Sequence, residues 1–387
     1  MKITYLDHNA TTPVRSEVRD AVIPFLGEDF ANPSSLHSSG RSVRKAVEKA
    51  REYIAELIKS EPDEIVFNSS ATEGNNTVLR GFTHPENKNR THIITTAVEH
   101  PCVLNTSKYL RKKGVGVSFL RVDKKGRIDL EELEKLITPE TGLISVMMAN
   151  NETGNIYPVR EIGRIAKKHG VLFHTDAVQA AGKISLDVNE LKADFLSLSG
   201  HKFYGVKGSG ALYIRKGLKL DSLLTGGHQE KGRRSGTENV PGIIGMGEAA
   251  RLAAGEISED RERIGKLRDY FEGRILDEIP HVTVLGDRKN RLWNTSNMNF
   301  SFIEGEAMLL HLDHAGIAVS TGSACSSGNL KPSHVVTAMN IDPEESHSSL
   351  RFSMGKKTTE EEIEYTIEKL KKIIPNLRSM SPLYRKK

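Results

Sequence analysis

The sequence is poor in cysteine, in tryptophan and in aromatic residues generally. Its 387 residues include two cysteines, Cys102 and Cys325, and one tryptophan, and aromatic residues make up 6%. Two cysteines exclude a disulfide framework and a cysteine-rich metal site. The chain also lacks an apolar run long enough to span a bilayer, and its first residues contain no apolar core of a signal peptide. We therefore expect a cytoplasmic protein without membrane association.

Neither sign of charge dominates. The 55 basic residues nearly balance the 50 acidic ones, for a net charge of +5, and no basic stripe is interleaved with aromatic residues. This balance argues against direct binding of nucleic acid. The histidine pairs His311/His314 and His334/His347 have no matching carboxylate or cysteine set. We therefore predict no resident metal site.

Short apolar segments alternate with longer helical patterns through most of the chain, which predicts an α/β fold with a mainly parallel sheet flanked by helices. A long charged amphipathic stretch then begins near residue 258, and the segments after it indicate a smaller α+β domain. We predict a large domain at residues 14–256 and a small domain made of residues 1–13 and 257–387. The predicted strands of the large domain are residues 64–67, 92–95, 143–147, 171–174 and 195–198.

Each of these predicted strands is followed by a polar cluster. The clusters are residues 68–73, 98–100, 149–154, 174–179 and 199–205. Because the carboxyl ends of parallel strands emerge on one edge of a sheet, and ligands bind there, the five clusters predict one site.

Single residues in these clusters each allow two interpretations. The turn at 69–72 suits a phosphate at a helix start, and equally an ordinary N-cap. Lys202, in a glycine-flanked loop, is either a nucleophilic amine or a surface lysine, and Asp176 either pairs with a pyridinium nitrogen or caps a helix. His100 either stacks on an aromatic ring or is an ordinary loop histidine.

The two cysteines lie in different surroundings. Cys325 occurs in Ser-Thr-Gly-Ser-Ala-Cys-Ser-Ser-Gly, residues 320–328, where every neighbour is small and most are polar. Such a loop does not bury a thiol in a core. Cys102 follows Pro101 at a predicted helix start, and we interpret it as structural.

Taken together, the motifs resemble the NifS/IscS-type cysteine desulfurases, which are class V, fold-type I enzymes dependent on pyridoxal 5'-phosphate (PLP). The resemblance runs almost end to end and rests on the following segments. They are residues 5–13, 32–37, 71–73, 149–154, 174–179, 199–202, 234–239, 320–325 and 349–353. It implies a fold-type I large domain with a seven-stranded-type sheet, and a small domain that carries the Cys325 loop.

The resemblance also implies roles for individual residues. Lys202 would carry the cofactor, Cys325 would be the sulfur nucleophile, and His100 would stack on the cofactor ring and move protons. Asn151 and Arg351 would bind the substrate carboxylate, and Thr237 would reach the phosphate of the neighbouring subunit in a homodimer. The implied cofactor-binding residues are Ala71, Thr72, Asn151, Asp176, Gln179, Ser199, His201, Lys202 and Thr237.

The implied activity removes sulfur from L-cysteine, leaving L-alanine and a persulfide on Cys325. An acceptor protein then takes the sulfur, and an iron–sulfur scaffold protein is the expected acceptor. The sequence does not reveal whether the sulfur is also used for tRNA thiolation or whether selenocysteine is a substrate. The resemblance also allows Cys325 to ligate an iron–sulfur cluster transiently. The rivals are a related PLP aminotransferase or selenocysteine lyase, and a non-catalytic scaffold. The cysteine loop argues against transamination, and Lys202 with Asp176 argues against a scaffold.

Three positions depart from the pattern that the family often shows. Ser70 stands where glycine is frequent, Val206 where proline is frequent, and Lys356 where arginine is common. None of the three departures removes a chemical group from the expected reaction.

Overall fold

The structure is a computed structural model that describes residues 3–82, 90–321, 332–342, 345–382 and 384. Its strands fall into one large sheet and two small ones. The strands are β1 (Thr4–Tyr5), β2 (Ile65–Asn68), β3 (His92–Thr96), β4 (Gly116–Leu120), β5 (Thr141–Ser145), β6 (Leu172–Asp176), β7 (Phe195–Ser199), β8 (Gly210–Ile214), β9 (Val282–Val284), β10 (Thr295–Phe300), β11 (Ile317–Ala318) and β12 (Ser349–Ser353).

Helices separate most of these strands along the chain. They are α1 (Ser16–Val22), α2 (Ser38–Ile58), α3 (Ala71–Gly81), α4 (Pro101–Lys112), α5 (Leu130–Lys135), α6 (Val159–Lys168), α7 (Val188–Leu191), α8 (Val240–Glu278), α9 (Gly305–His314), α10 (His334–Ala338) and α11 (Glu360–Met380). None of the described helices is both long and apolar enough to cross a membrane.

The large sheet has the order β2-β8-β7-β6-β5-β3-β4. Strands β7, β6, β5, β3 and β4 pair in parallel, whereas β8 runs antiparallel to both β7 and β2. Every residue of β5, β7 and β8 is buried, as expected for strands covered on both faces. The predicted mainly parallel sheet is confirmed. The carboxyl ends of β2, β3, β5, β6 and β7 therefore share one edge.

Two small sheets accompany the large one. Strands β12, β10 and β9 form an antiparallel sheet, and β1 pairs in parallel with β11. The three-stranded sheet contributes to an apolar cluster that includes Phe300 of β10, Phe352 of β12, Phe271 of α8 and Leu370 of α11. A larger cluster packs against the central sheet, and Leu285 and Val335 from the later part of the chain belong to it. The predicted domain boundaries are not tested by these contacts and stay predictions.

Helix α8 is longer than the amphipathic pattern indicates. The pattern begins near residue 258, but the helix begins at Val240 and has 39 residues. Its first part packs closely on its neighbours. A Cβ atom at Gly245 would lie 2.2 Å from Val206 Cγ2, and one at Gly247 would lie 2.5 Å from Ala50 Cβ. This part is buried and rich in small residues, so it shows no polar face from which a helix could be predicted.

Candidate active site

The polar clusters that follow the parallel strands line one cavity of about 330 Å³. Asn9 and Ala10 from the N-terminal segment and Arg351 from β12 complete its wall. The predicted site residues that line it are Ala71, Thr72, His100, Asn151, Asp176, Gln179, Ser199, His201, Lys202 and Arg351. Thr237 borders a second cavity of about 130 Å³. Cys325 lies outside the described residues.

Lys202 lies in a short 3-10 turn, Gly200–Lys202, directly after β7. The backbone N–H of Phe203 closes the turn by donating to Gly200 O at 3.2 Å, and the N–H of Gly205 donates to the same oxygen at 2.9 Å. Lys202 Nζ donates to Asn9 O at 2.6 Å and to Ala10 O at 2.7 Å. Two carbonyls of the N-terminal segment thus hold the amine at the cavity wall.

Asp176 ends β6, and its side chain is buried, with 6% of its surface exposed. Its Oδ1 accepts from the backbone N–H of Val178 at 3.0 Å, and its Oδ2 accepts from Asn75 Nδ2 at 2.7 Å. Each carboxylate oxygen thus accepts a hydrogen bond. The two bonds fix the orientation of the carboxyl group at the cavity wall.

The N-terminus of α3 opens into the same cavity. Ser70 is the N-cap residue, and its side chain accepts from the backbone N–H of Glu73 at 3.2 Å. Ala71 and Thr72 begin the first turn, and the N–H groups and dipole of a helix N-terminus favour an anion. Burial, with a contribution from Lys202, lowers the pKa of the nearby His201 to about 4. His201 is therefore a neutral hydrogen-bonding group at neutral pH.

His100 is the N-cap residue of α4, and its Nδ1 accepts from the backbone N–H of Cys102 at 3.3 Å. Cys102 Sγ lies 3.0 Å from the same nitrogen. Burial lowers the pKa of His100, and burial together with Asp176 raises the pKa of Cys102 to about 12. The sequence suggested a structural role for Cys102, but its thiol also lines the cavity.

Arg351 is almost completely buried, and two of its three guanidinium nitrogens donate hydrogen bonds within the chain. Its Nη1 donates to Asn151 O at 2.9 Å and its Nη2 donates to Asp7 Oδ1 at 2.6 Å. Its Nε is buried and has no hydrogen-bond partner in the described part of the chain. A substrate carboxylate that binds the guanidinium group must therefore share its Nη2 with Asp7. The sequence did not indicate Asp7 as a neighbour of Arg351.

Asn9 connects much of the cavity wall, although the sequence did not single it out. Its carbonyl accepts from Gln179 Nε2 at 2.9 Å as well as from Lys202. Its Nδ2 donates to Asn151 O at 3.2 Å and to Thr295 Oγ1 at 2.9 Å. The side chain thereby links the N-terminal segment to the loop after β5 and to the small antiparallel sheet.

Two buried ionisable residues adjoin the site and were also missed. Burial raises the pKa of Glu99 to about 8. Burial, with the nearby Lys202, lowers the pKa of Lys183 to about 7, and Lys183 Nζ donates to Gln179 O at 3.1 Å. No local pattern distinguishes either residue, because their burial arises from strands and segments that are distant in sequence.

The three departures from the family pattern are accommodated locally. The Ser70 hydroxyl caps α3, and Val206 packs over Gly245. Lys356 Nζ pairs with Glu256 at 2.5 Å and with Asp260.

The residues around the cavity fit PLP. A carboxylate suits a pyridine nitrogen, an amine suits an aldehyde, and a helix N-terminus suits a phosphate. Gln179 also lines the cavity, and its buried Oε1 has no hydrogen-bond partner among the described residues. This set of groups defines a fold-type I PLP enzyme.

Comparisons with known proteins agree. Residues 4–366 match the model of the aminotransferase class-V family. The cysteine desulfurase IscS of Dictyoglomus turgidum is 50% identical over 378 residues, covering 98% of this chain and 96% of the relative. The cysteine desulfurase NifS of Azotobacter vinelandii is 48% identical over 385 residues, covering 99% and 96%. A solved NifS-like protein superposes with a TM-score of 0.92 at 40% identity, covering 97% of this chain and 100% of that chain.

The chain therefore belongs to the class-V aminotransferase family and, within it, to the NifS/IscS-type cysteine desulfurases, which depend on PLP. The predictions of family, fold class, enzyme class and cofactor are confirmed. The individual residue roles stay proposals.

Proposed function

We propose that this protein removes sulfur from free L-cysteine, holds it as a persulfide on Cys325, and transfers it to an acceptor protein. The observation that carries the proposal is the cavity that Lys202, Asp176 and Arg351 share. The reaction needs three groups, and the cavity contains one for each. The Lys202 amine attaches the cofactor, the Asp176 carboxylate pairs with the cofactor ring, and the Arg351 guanidinium binds the carboxylate of the amino-acid substrate.

In this proposal Lys202 carries PLP and Asp176 pairs with its ring nitrogen. The first turn of α3, with Ser199 and His201, holds the phosphate, and Gln179 and Asn151 complete the pocket. When bound, PLP supplies an electron-withdrawing ring that accepts the charge left when the substrate Cα loses its proton. These roles use groups that already line the cavity.

The released amine of Lys202 is the base that takes the Cα proton. Once protonated, Lys202 is an ammonium group that requires acceptors. The carbonyls of Asn9 and Ala10, at 2.6 Å and 2.7 Å from Nζ, provide them. These two carbonyls hold the ammonium group in place after it has accepted the proton.

Arg351 orients the substrate by its carboxylate. The unpaired Nε and the Nη2 group form one edge of the guanidinium, which matches a carboxylate in a bidentate pair. Asn151 O holds Nη1 and so fixes the plane of the fork.

The sulfur transfer uses Cys325 as a thiolate. Its sulfur attacks the substrate Sγ, so that a sulfur–sulfur bond forms and the Cβ–Sγ bond breaks. The electron pair of the broken bond stays on Cβ, which takes a proton and becomes the methyl group of alanine. We propose His100 as the group that moves protons here, since its lowered pKa keeps the imidazole neutral and able to accept.

We propose a homodimer in which Thr237 completes the phosphate site of the partner. Thr237 borders a cavity separate from the one that its own chain's Lys202 lines, which suits a role across a subunit boundary. An iron–sulfur scaffold protein is the proposed acceptor. A cytoplasmic location, where thiols stay reduced, suits a reaction that depends on a free cysteine.

We also propose that residues 14–256 form the large domain and that residues 1–13 and 257–387 form the small one. The apolar cluster that joins Leu6 to Phe271, Phe352 and Leu370 supports this division, whereas Leu285 and Val335 pack in the cluster of the large sheet.

The test is a single turnover with L-[35S]cysteine followed by peptide mapping. The label should be bound to the peptide that contains Cys325. Cys325→Ala should retain PLP and bind no sulfur, whereas the control Cys102→Ser should still bind labelled sulfur on Cys325. Sulfur release at the parent rate by Cys325→Ala would show that the nucleophile lies elsewhere.

A further inference from the structure

Asn75 lies on α3 behind the cavity and is 0% exposed. It belongs neither to the residues that line the cavity nor to those that the sequence singled out. Its amide nitrogen donates to Asp176 Oδ2 at 2.7 Å and lies 3.1 Å from Cys102 Sγ. Both contacts are made by the amide nitrogen, whose two N–H groups face the carboxylate and the sulfur.

The orientation of this amide determines what Asp176 experiences. A nitrogen facing Oδ2 donates a hydrogen bond, whereas the amide oxygen in its place would face a carboxylate oxygen and repel it. Asn75 Oδ1 is buried without a partner among the described residues, so the molecule leaves one polar atom unsatisfied while keeping this donor. Such an unpaired atom is costly.

We propose that Asn75 is a positioning residue for the cofactor ring: its amide holds the Asp176 carboxylate in the orientation that aims it at the ring nitrogen. The inference rests on the proposed function, in which Asp176 is the partner of that nitrogen. The backbone N–H of Val178 fixes Oδ1, and Asn75 fixes Oδ2. Together the two donors leave the carboxylate one orientation toward the cavity.

The effect is measurable as a preference between two ligands of the apoprotein. The first is PLP, and the second is its analogue in which a C–H group replaces the ring nitrogen. Only PLP can use the charge on Asp176. The ratio of the two dissociation constants, measured by equilibrium dialysis, therefore reports the ring-nitrogen contact and cancels general damage to the pocket.

Asn75→Ala should reduce the preference for PLP about tenfold, the scale of one charge-assisted hydrogen bond. Asn75→Asp keeps the volume but offers an oxygen in place of the donor, and should reduce it similarly. If the alanine variant does not fold, the aspartate variant tests the role of Asn75 in its place. The matched control is Asn76→Ala, the next residue of α3, whose side chain donates to Thr72 O and accepts from Thr106 and Arg80. This control should keep the parent preference.

Asp176→Asn distinguishes a failure of the proposed role of Asp176 from a failure of the proposed role of Asn75. It should abolish the preference, and Asn75→Ala added to it should have no further effect. A preference that Asp176→Asn removes but both Asn75 variants keep would overturn the inference alone. A preference that survives Asp176→Asn would overturn the proposed role of Asp176 and this inference with it.

Discussion

The buried carboxyl group of Glu99 should make the stability of this protein depend on pH in a specific way. Glu99 is 0% exposed. Its Oε1 accepts from Thr96 Oγ1 at 2.8 Å and from the backbone N–H of Met147 at 2.9 Å. Its Oε2 is buried and has no partner among the described residues. Burial raises the pKa to about 8 from the ordinary value of 4.5.

The direction of the effect follows from proton linkage. Between pH 4.5 and pH 8 the folded protein keeps a proton on Glu99 that the unfolded chain releases. The contribution of this group is therefore fully present below pH 4.5 and is lost as the pH rises toward 8. Each pH unit in this window corresponds to about 1.4 kcal/mol. The free energy of unfolding should thus lose up to about 3 kcal/mol through Glu99 between pH 5 and pH 7.

Glu99→Gln tests this value because glutamine has the shape of the protonated acid and does not titrate. Its oxygen can accept the same two hydrogen bonds. Urea unfolding of both proteins from pH 5 to pH 8 gives the difference in free energy at each pH. Lys183 and Glu152, whose pKa values burial shifts to about 7, titrate in both proteins and cancel. The free energy of unfolding of the variant should increase relative to that of the parent as the pH rises. A difference between the two proteins that stays constant with pH would refute the raised pKa of Glu99.

Three further predictions concern the cavity. Borohydride reduction of the PLP-loaded protein should attach the cofactor to Lys202, and recovery on Lys207 in a peptide map would contradict the site. Arg351→Ala should raise KM for L-cysteine about a hundredfold through loss of a charge-assisted pair, with Arg351→Lys restoring only part, and an unchanged KM would exclude the role. In a Cys325→Ala background, iodoacetamide should modify Cys102 at pH 8 about a thousand times more slowly than a free thiol, because its pKa is raised to about 12. Modification at the rate of free cysteine, followed by mass spectrometry, would show that the thiol is not buried in this way.

Residue patterns along the chain were enough to predict the class of fold and the sheet edge that carries the reactive side chains. Short buried strands alternate with helices, and each strand carries a polar cluster at its carboxyl end. Asp176 and Lys202 could be predicted at one site because parallel strands bring their ends to the same edge. This inference needs only local patterns and a general rule of topology.

The sequence did not indicate strand β8, which joins the large sheet antiparallel to both neighbours. Nor did it indicate the first part of α8, whose glycines pack against Ala50 and Val206. Strand pairing and burial depend on segments that are far apart along the chain, and a buried helix without a polar face has no periodic pattern to read.

The residues that surround the predicted ones could be identified only from the folded structure. Asn9 reaches Lys202 across 193 positions of sequence, Asn75 reaches Asp176 across 101, and Asp7 reaches Arg351 across 344. The raised pKa of Glu99 is likewise a tertiary effect, since its desolvation follows from complete enclosure by other segments. Residue type and local pattern identify the groups that can react, but their partners, orientation and charge are set only when the chain has folded around them.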